Sequence, residues 1–198
     1  MTKRFASFSS ATALCVLFLG IAPAMAEAGP HITLKEDQSL TGRFVHDHPV
    51  QGFDVPLRSE GRFSVSGKDR IVWAIEKPMA TTTTLTPEGL TQSVGQFALL
   101  RLNRQQMPFL SEVQKNLLWA LAGNWERLKG DFTITSVEEP AHRWTVTFVP
   151  KEKVGTRKPF QKIVAHGARF VEDADILLQN GVTDHVSFSE TVLTPTAF

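Results

Sequence analysis

The sequence contains a single cysteine, Cys15, which lies inside an apolar run near the N-terminus. If that segment is removed, the mature chain has no thiol, and both a disulfide framework and a thiolate zinc site are excluded. The stability of the fold must then come from a hydrophobic core. With 42% hydrophobic residues, the chain has enough apolar side chains to build one.

Long hydrophobic runs are also lacking. The apolar stretch at 11–22 is far shorter than the roughly 20 residues that a helix needs to span a bilayer. Lys3 and Arg4 precede this stretch, and the segment 24–26 follows it with alanine at both cleavage-determining positions. This order is typical of a secretory signal peptide. We therefore expect residues 1–26 to be a signal peptide that is cleaved after Ala26, and the mature chain to be exported.

Neither sign of charge is in excess. Removing 26 of the 198 residues leaves 172, and the loss of Lys3 and Arg4 lowers the basic count from 21 to 19, against 20 acidic residues. A nearly neutral chain lacks the basic field with which proteins hold nucleic acid or an anionic membrane surface. We expect no nucleic-acid partner, and one domain over residues 27–198, because this length favours one domain over two.

Familiar catalytic motifs are missing as well. The sequence contains no Gly-x-Ser-x-Gly nucleophile elbow, no His-Glu-x-x-His pair and no phosphate-binding loop. A catalytic triad can be assembled from residues that are distant in sequence, so this absence lowers the expectation of an enzyme without removing it. We expect a protein without catalytic residues, cofactor or metal.

Alternation of apolar and polar residues dominates the chain after its first forty residues, and this pattern is typical of half-buried strands. It is clearest at 70–76, where Ile71, Trp73 and Ile75 share one face. The run 61–66 alternates in the same way, and the intervening glycine-containing turn predicts an antiparallel hairpin.

Further strands are predicted along the rest of the chain. The clearest are 81–84, 131–137 and 143–148, and weaker candidates are 161–165, 168–171 and 185–190. Turn residues separate these runs at 87–89, 138–140, 155 and 180–181. A meandering antiparallel sheet is the simplest assembly of such runs.

One segment, 105–128, departs from this pattern. Val113, Leu117 and Leu121 recur every four residues, and residues 112, 114 and 115 are polar, which predicts an amphipathic helix. Gly123 and Asn124 are expected to end or bend that helix. We expect its apolar stripe to cover the apolar face of the sheet, and we interpret Val113, Leu117 and Leu121 as a lid.

The apolar face of the sheet allows two interpretations. It is either an ordinary packed core of a mainly β protein or a concave lining that is partly empty and admits an acyl chain. The ten residues that we assign to this face as a hydrophobic cavity are Phe44, Phe63, Val65, Ile71, Trp73, Ile75, Phe132, Trp144, Val146 and Phe148.

The order of several motifs resembles the outer-membrane lipoprotein carrier protein LolA family, in particular its divergent LolA-like branch. A phenylalanine strand, a glycine-led strand, a strand that carries tryptophan and runs to a proline, and a hairpin that ends in glycine follow one another. The segments that carry the resemblance are 42–46, 56–63, 71–78 and 85–90, and it continues at 130–132, 144–150 and 183–189.

This resemblance implies an incomplete antiparallel β-barrel, formed by a curved sheet and covered by one or more helices. It also implies a periplasmic carrier, or chaperone, that shields the acyl chains of lipoproteins in transit to the outer membrane. The implied partners are an acylated lipoprotein or lipid cargo, an inner-membrane donor complex and an outer-membrane acceptor, and we expect a monomer. Lipoprotein, glycolipid and polyene-type lipid all stay open as cargo.

Two other functions stay open. One is an enzyme that modifies envelope lipids, and the other is an accessory module that docks onto a lipid export system through exposed edge strands. The sequence also departs from the family pattern, because the arginine thought to latch the family's lid falls at the position of Gly67, with Lys68 beside it.

A pair of imidazoles at 46 and 48 is a potential metal-binding motif. On a strand, His46 and His48 point the same way and could bind a metal. No third ligand lies nearby in sequence, and zinc sites need three or four ligands. The sequence therefore favours an exposed strand end before Pro49 over a metal site.

Overall fold

A computed structural model of the chain describes residues 29, 32, 34–67, 69–103, 105, 116, 119–121, 123–151 and 160–195. The predicted signal peptide, 1–26, and two of the three predicted lid residues, Val113 and Leu117, lie outside these residues. Within the described part, no helix is long and apolar enough to cross a membrane.

The described residues form eleven strands in one open antiparallel sheet. The strands are β1 (Gln38–His48), β2 (Leu57–Ser66), β3 (Arg70–Lys77), β4 (Thr81–Thr86), β5 (Gly89–Val94), β6 (Phe97–Asn103), β7 (Phe132–Glu139), β8 (Arg143–Pro150), β9 (Phe160–Gly167), β10 (Val171–Leu178) and β11 (Thr183–Pro195). Their order is β6-β5-β4-β3-β2-β1-β11-β10-β9-β8-β7. The mainly β fold is confirmed, and the sheet is not closed into a barrel. Strands β1 and β11 meet at its centre, and β6 and β7 form its edges.

The predicted hairpins are present. Strands β2 and β3 pair with Phe63 opposite Trp73 and Val65 opposite Ile71, so the apolar residues of both strands share one face. Strands β4 and β5 pair with Leu85 opposite Leu90, which confirms that the threonine run is a strand.

The prediction of a strand at 168–171 is wrong, because residues 168–170 form a bend and β10 begins at Val171. The sequence did not indicate β10, which carries three acidic residues of the kind that are depleted in strands. It did not indicate edge strand β6 either, because six of its seven residues are exposed and no apolar face alternates along it.

Two clusters of buried side chains form the core. The Phe44 cluster contains Leu40, Phe44, Phe63, Val65, Ile71, Leu85, Leu121 and Val186. The Trp144 cluster contains Trp125, Leu128, Phe132, Trp144, Val146, Phe148, Ala165 and Ala174. The partly buried Trp119 packs against both clusters. The helical segment that precedes β7 therefore lies across the junction between the two halves of the sheet.

This helical segment ends where the sequence predicts. Gly123 has a φ of 70°, its N–H donates to the Ala120 carbonyl at 3.3 Å, and the Asn124 N–H donates to the Trp119 carbonyl at 2.8 Å. These two bonds form the Schellman motif that ends many helices at a left-handed glycine. A short 3-10 helix, Trp125–Leu128, follows and buries its first and last side chains in the Trp144 cluster.

A bulge interrupts the pairing of the two central strands. Thr41 pairs with Val192 and Arg43 pairs with Ser189, so two residues of β11 lie opposite one residue of β1. One of these two, Glu190, has a φ of 53°, in the left-handed region. A bulge of this kind bends its strand and increases the local twist. The bulge therefore bends β11 partway along the length of the strand.

Candidate ligand-binding groove

The ten side chains predicted to line a cavity all belong to, or pack against, the two clusters on one face of the sheet. Trp73 and Ile75 are half-buried and pack against the Phe44 cluster, and the other eight are buried. The face itself is confirmed by this arrangement. The role of these residues as the lining of a cavity stays a prediction.

Four aromatic rings form a connected group in the Phe44 cluster, and we refer to them as the aromatic group. Phe44 and Trp73 stack, with ring centroids 3.9 Å apart. Phe188 meets Phe63 edge to face at 5.4 Å and Trp73 at 6.2 Å. Aromatic pairs of this geometry contribute about 0.5–1.5 kcal/mol beyond their burial. The group thus fixes Phe188 against strands β1, β2 and β3.

A groove of about 410 Å³ opens beside Phe188, and we call it the Phe188 groove. One wall is the β9–β10 bend with the start of β10, residues 168–172. The other wall is the bulged part of β11, residues 188–191. Small-molecule sites commonly have volumes of about 300–1,000 Å³. Phe188 therefore links the lining of the groove to the aromatic group.

The chemistry of the Phe188 groove is mixed. Phe170, Val171 and Phe188 supply apolar surface, whereas Arg169, Glu172 and Glu190 supply charge. The Arg169 guanidinium lies 5.2 Å from the centre of the Phe170 ring, and Glu172 forms an ion pair of 2.7 Å with Arg143. A groove lined by both apolar and charged residues suits an amphiphile, whose chain and polar end need different surroundings.

The third predicted lid residue, Leu121, is described and is buried in the Phe44 cluster. Its neighbours Trp119 and Ala120 are half-buried. The only part of the predicted lid that the structure describes therefore packs on the same face as the aromatic group.

The position at which the family pattern would place a latch arginine is closed to any side chain. The Gly67 N–H donates to the Gln38 carbonyl at 2.9 Å. A Cβ added to Gly67 would lie 1.8 Å from the Lys35 carbonyl oxygen. Because backbone blocks this space, an arginine latch at this position is incompatible with the fold.

Three residues of the groove and of the histidine cluster were not predicted from the sequence: Phe170, Phe188 and Asp184. Phe170 lies in the segment that was wrongly predicted as a strand. The other two alternate with Val186 along β11, at i, i+2 and i+4, so the period of a strand could have placed them on the inward face. Asp184 lies beside His46 and His48 and supplies the third potential metal ligand that the neighbouring sequence lacks.

No family model and no curated protein matches the sequence. Solved structures with a similar fold include a chain of the Pseudomonas aeruginosa MucA/MucB complex, at 13% identity over 82% of this chain and 54% of that one, with a TM-score of 0.45. The present chain thus spans about half the length of that chain. A LolA superfamily protein from Nitrosomonas europaea is similar at 10% identity over 84% of this chain and 90% of that one, with a TM-score of 0.41. A DUF1329 family protein from Desulfovibrio piger is similar at 9% identity over 82% and 87%, with a TM-score of 0.37. Likeness this remote assigns neither a family nor a function.

Proposed function

We propose that this protein is a non-catalytic periplasmic carrier that shields the acyl chains of lipoproteins or related lipids in transit to the outer membrane. The observation that carries the proposal is that Phe188 both lines the Phe188 groove and belongs to the aromatic group. An acyl chain that enters there would reach the aromatic group, whose rings come from four strands, while its polar end stays near Arg169 and Glu190.

Hydrophobic transfer supplies the driving force for such a carrier. Each methylene removed from water contributes about 0.8 kcal/mol, so six shielded methylenes would contribute roughly 5 kcal/mol. That amount outweighs the loss of a few side-chain contacts, and cargo entry could therefore displace part of the cover. We assign the cover to the lid residues Val113, Leu117 and Leu121. Exchange with an inner-membrane donor and an outer-membrane acceptor then needs no bond-making chemistry.

The test is a titration of the detergent-free mature chain with a fluorescent fatty acid. We expect saturable binding, and we expect Phe188→Ala to weaken it by at least about fivefold, since an aromatic contact of about 1 kcal/mol is lost. The matched control is Phe97→Ala, which removes the same ring from edge strand β6, where the side chain is 80% exposed. Urea unfolding should show that both variants stay folded.

Two results would overturn the proposal. One is a folded Phe188→Ala variant that binds the probe as tightly as the wild type. The other is turnover of an added lipid by the purified chain, which would favour the alternative of an envelope-lipid-modifying enzyme.

A further inference from the structure

Two histidines and an aspartate converge at one end of the central strand pair. His46 Nε2 lies 3.2 Å from Asp184 Oδ2, and His48 Nδ1 lies 2.5 Å from Asp184 Oδ1. The three potential ligand atoms all lie within 4.8 Å of one another. Both imidazoles therefore contact the same carboxylate, one at each of its oxygens.

Strand register explains why residues 136 or more positions apart meet here. His46 pairs with Val186 and Asp47 pairs with His185, so His48 and Asp184 come next along the two strands. Alternation places His46, His48 and Asp184 on the inward face that also holds Phe44 and Val186. These three residues thus form the polar end of the apolar face, and the two central strands fix their positions.

The charged residues between these positions along β1 and β11 point to the opposite face and have partners there. Asp47 forms a bidentate pair with Arg58, with both contacts at 2.8 Å. His185 Nδ1 lies 2.8 Å from Asp175 Oδ1. These contacts keep the outward-facing ion pairs separate from the inward-facing trio, so the two imidazoles and their carboxylate form a distinct cluster.

We propose that His46, His48 and Asp184 bind a divalent transition-metal ion, with Zn²⁺ as the representative case. Two imidazoles and a carboxylate are a ligand set that such ions prefer. Bonds of about 2.0–2.2 Å place ligand atoms about 3–4 Å apart, so small side-chain rotations suffice to exchange the two hydrogen bonds for metal bonds. Three protein ligands leave a coordination position open to water or to an oxygen atom of a ligand.

Access to this site is available from solvent. The side chains of His46 and His48 are 31% and 36% exposed, whereas Asp184 is 13% exposed. Because the carboxylate is less exposed than the two imidazoles, an ion would enter past the imidazole rings. The proposal does not depend on acyl-chain binding, since its ligand atoms lie outside the Phe188 groove.

The test is calorimetric titration of the EDTA-treated mature chain, purified with a histidine-free tag, with ZnCl₂. We expect one equivalent to bind, and we expect His48→Ala and Asp184→Asn each to weaken binding by at least about tenfold, the lower end of what outer-shell mutations alone cost. His185→Ala is the matched control, because it removes an imidazole from the same strand pair on the opposite face. It should leave the affinity within about twofold of the wild type.

A second measurement uses the wild-type chain and so tests the proposal even if the variants fail to fold. In the wild-type chain, Zn²⁺ should shift the ¹⁵N imidazole resonances of His46 and His48 and leave that of His185 in place. Absence of stoichiometric binding would overturn the proposal. Binding that survives both ligand substitutions, or resonance shifts confined to other histidines, would equally overturn it.

Discussion

Four ionisable side chains form a row across the outward face at the centre of the sheet: Arg58 on β2, Asp47 on β1, His185 on β11 and Asp175 on β10. Asp47 lies opposite both Arg58 and His185 in the strand register, and His185 lies opposite Asp175. Opposite charges at directly paired positions stabilise a sheet, and a slip of one residue would separate them. The row therefore helps to fix the register that aligns the inward-facing residues.

Asp47 gives this row a pH dependence. The hydrogen bonds from Arg58 hold the pKa of the Asp47 carboxyl below its ordinary value of 3.8, although burial opposes them. A carboxyl with a depressed pKa in the folded state stabilises the fold above its unfolded pKa and loses that contribution as pH falls through the folded value. The stabilisation from Asp47 should thus be intact at pH 5.5 and should decline below about pH 4.

We therefore expect Asp47→Asn to lower the urea midpoint at pH 5.5, and we expect its deficit relative to the wild type to shrink by pH 3. The two chains differ only at residue 47, so other titrations cancel in the comparison. Arg58→Gln should reproduce this pH dependence, since it removes the main cause of the pKa shift. A deficit of equal size at both pH values would show that the carboxylate charge is not involved.

At the scale of elements, local signals predicted local structure well. The alternation around Trp73 indicated the β2–β3 hairpin, and Gly123 indicated the end of the helical segment, because each signal acts within a few residues. Strand β10 and the bulge at Glu190 were not predictable in this way. The bulge arises where β11 pairs with β1, and no run of neighbouring residues encodes a partner that lies far along the chain. Strand β10 pairs with the next strand, β11, but its three acidic residues are not typical of a strand.

The Schellman motif at Gly123 leads to a prediction about stability. A Cβ at a φ of 70° costs roughly 1–2 kcal/mol for a residue other than glycine. Gly123→Ala should therefore lower the free energy of unfolding by about that amount, measured by urea denaturation. Gly130→Ala is the matched control, because a Cβ at Gly130 would meet nothing within 4 Å and its backbone is not left-handed. Equal stability of the two variants would contradict this account of the helix end.

At the scale of the whole molecule, one open sheet carries two apolar clusters on a single face. The sequence predicted the ten residues of that face, since burial follows from period-two alternation. It did not predict the Phe188 groove, whose walls come from the β9–β10 bend and the bulged part of β11. Those segments lie on the two arms of the β10–β11 hairpin, and the first of them was wrongly predicted as a strand. The proposed metal ligands show a longer-range limit, as Asp184 joins His46 and His48 only through the central strand pair.

In the carrier that we propose, separate parts of this face have separate tasks. The two clusters hold the sheet together, the Phe188 groove admits an acyl chain, and the helical segment that contains Leu121 covers the junction. A carrier of this kind should retain cargo through purification, because release into water would expose the apolar chain.

The most direct test is native mass spectrometry of the protein isolated from periplasm without detergent. We expect one bound acylated molecule per chain, which an excess of fatty acid displaces. A ligand-free chain that also stays ligand-free after incubation with an acylated lipid or lipopeptide would contradict the carrier function.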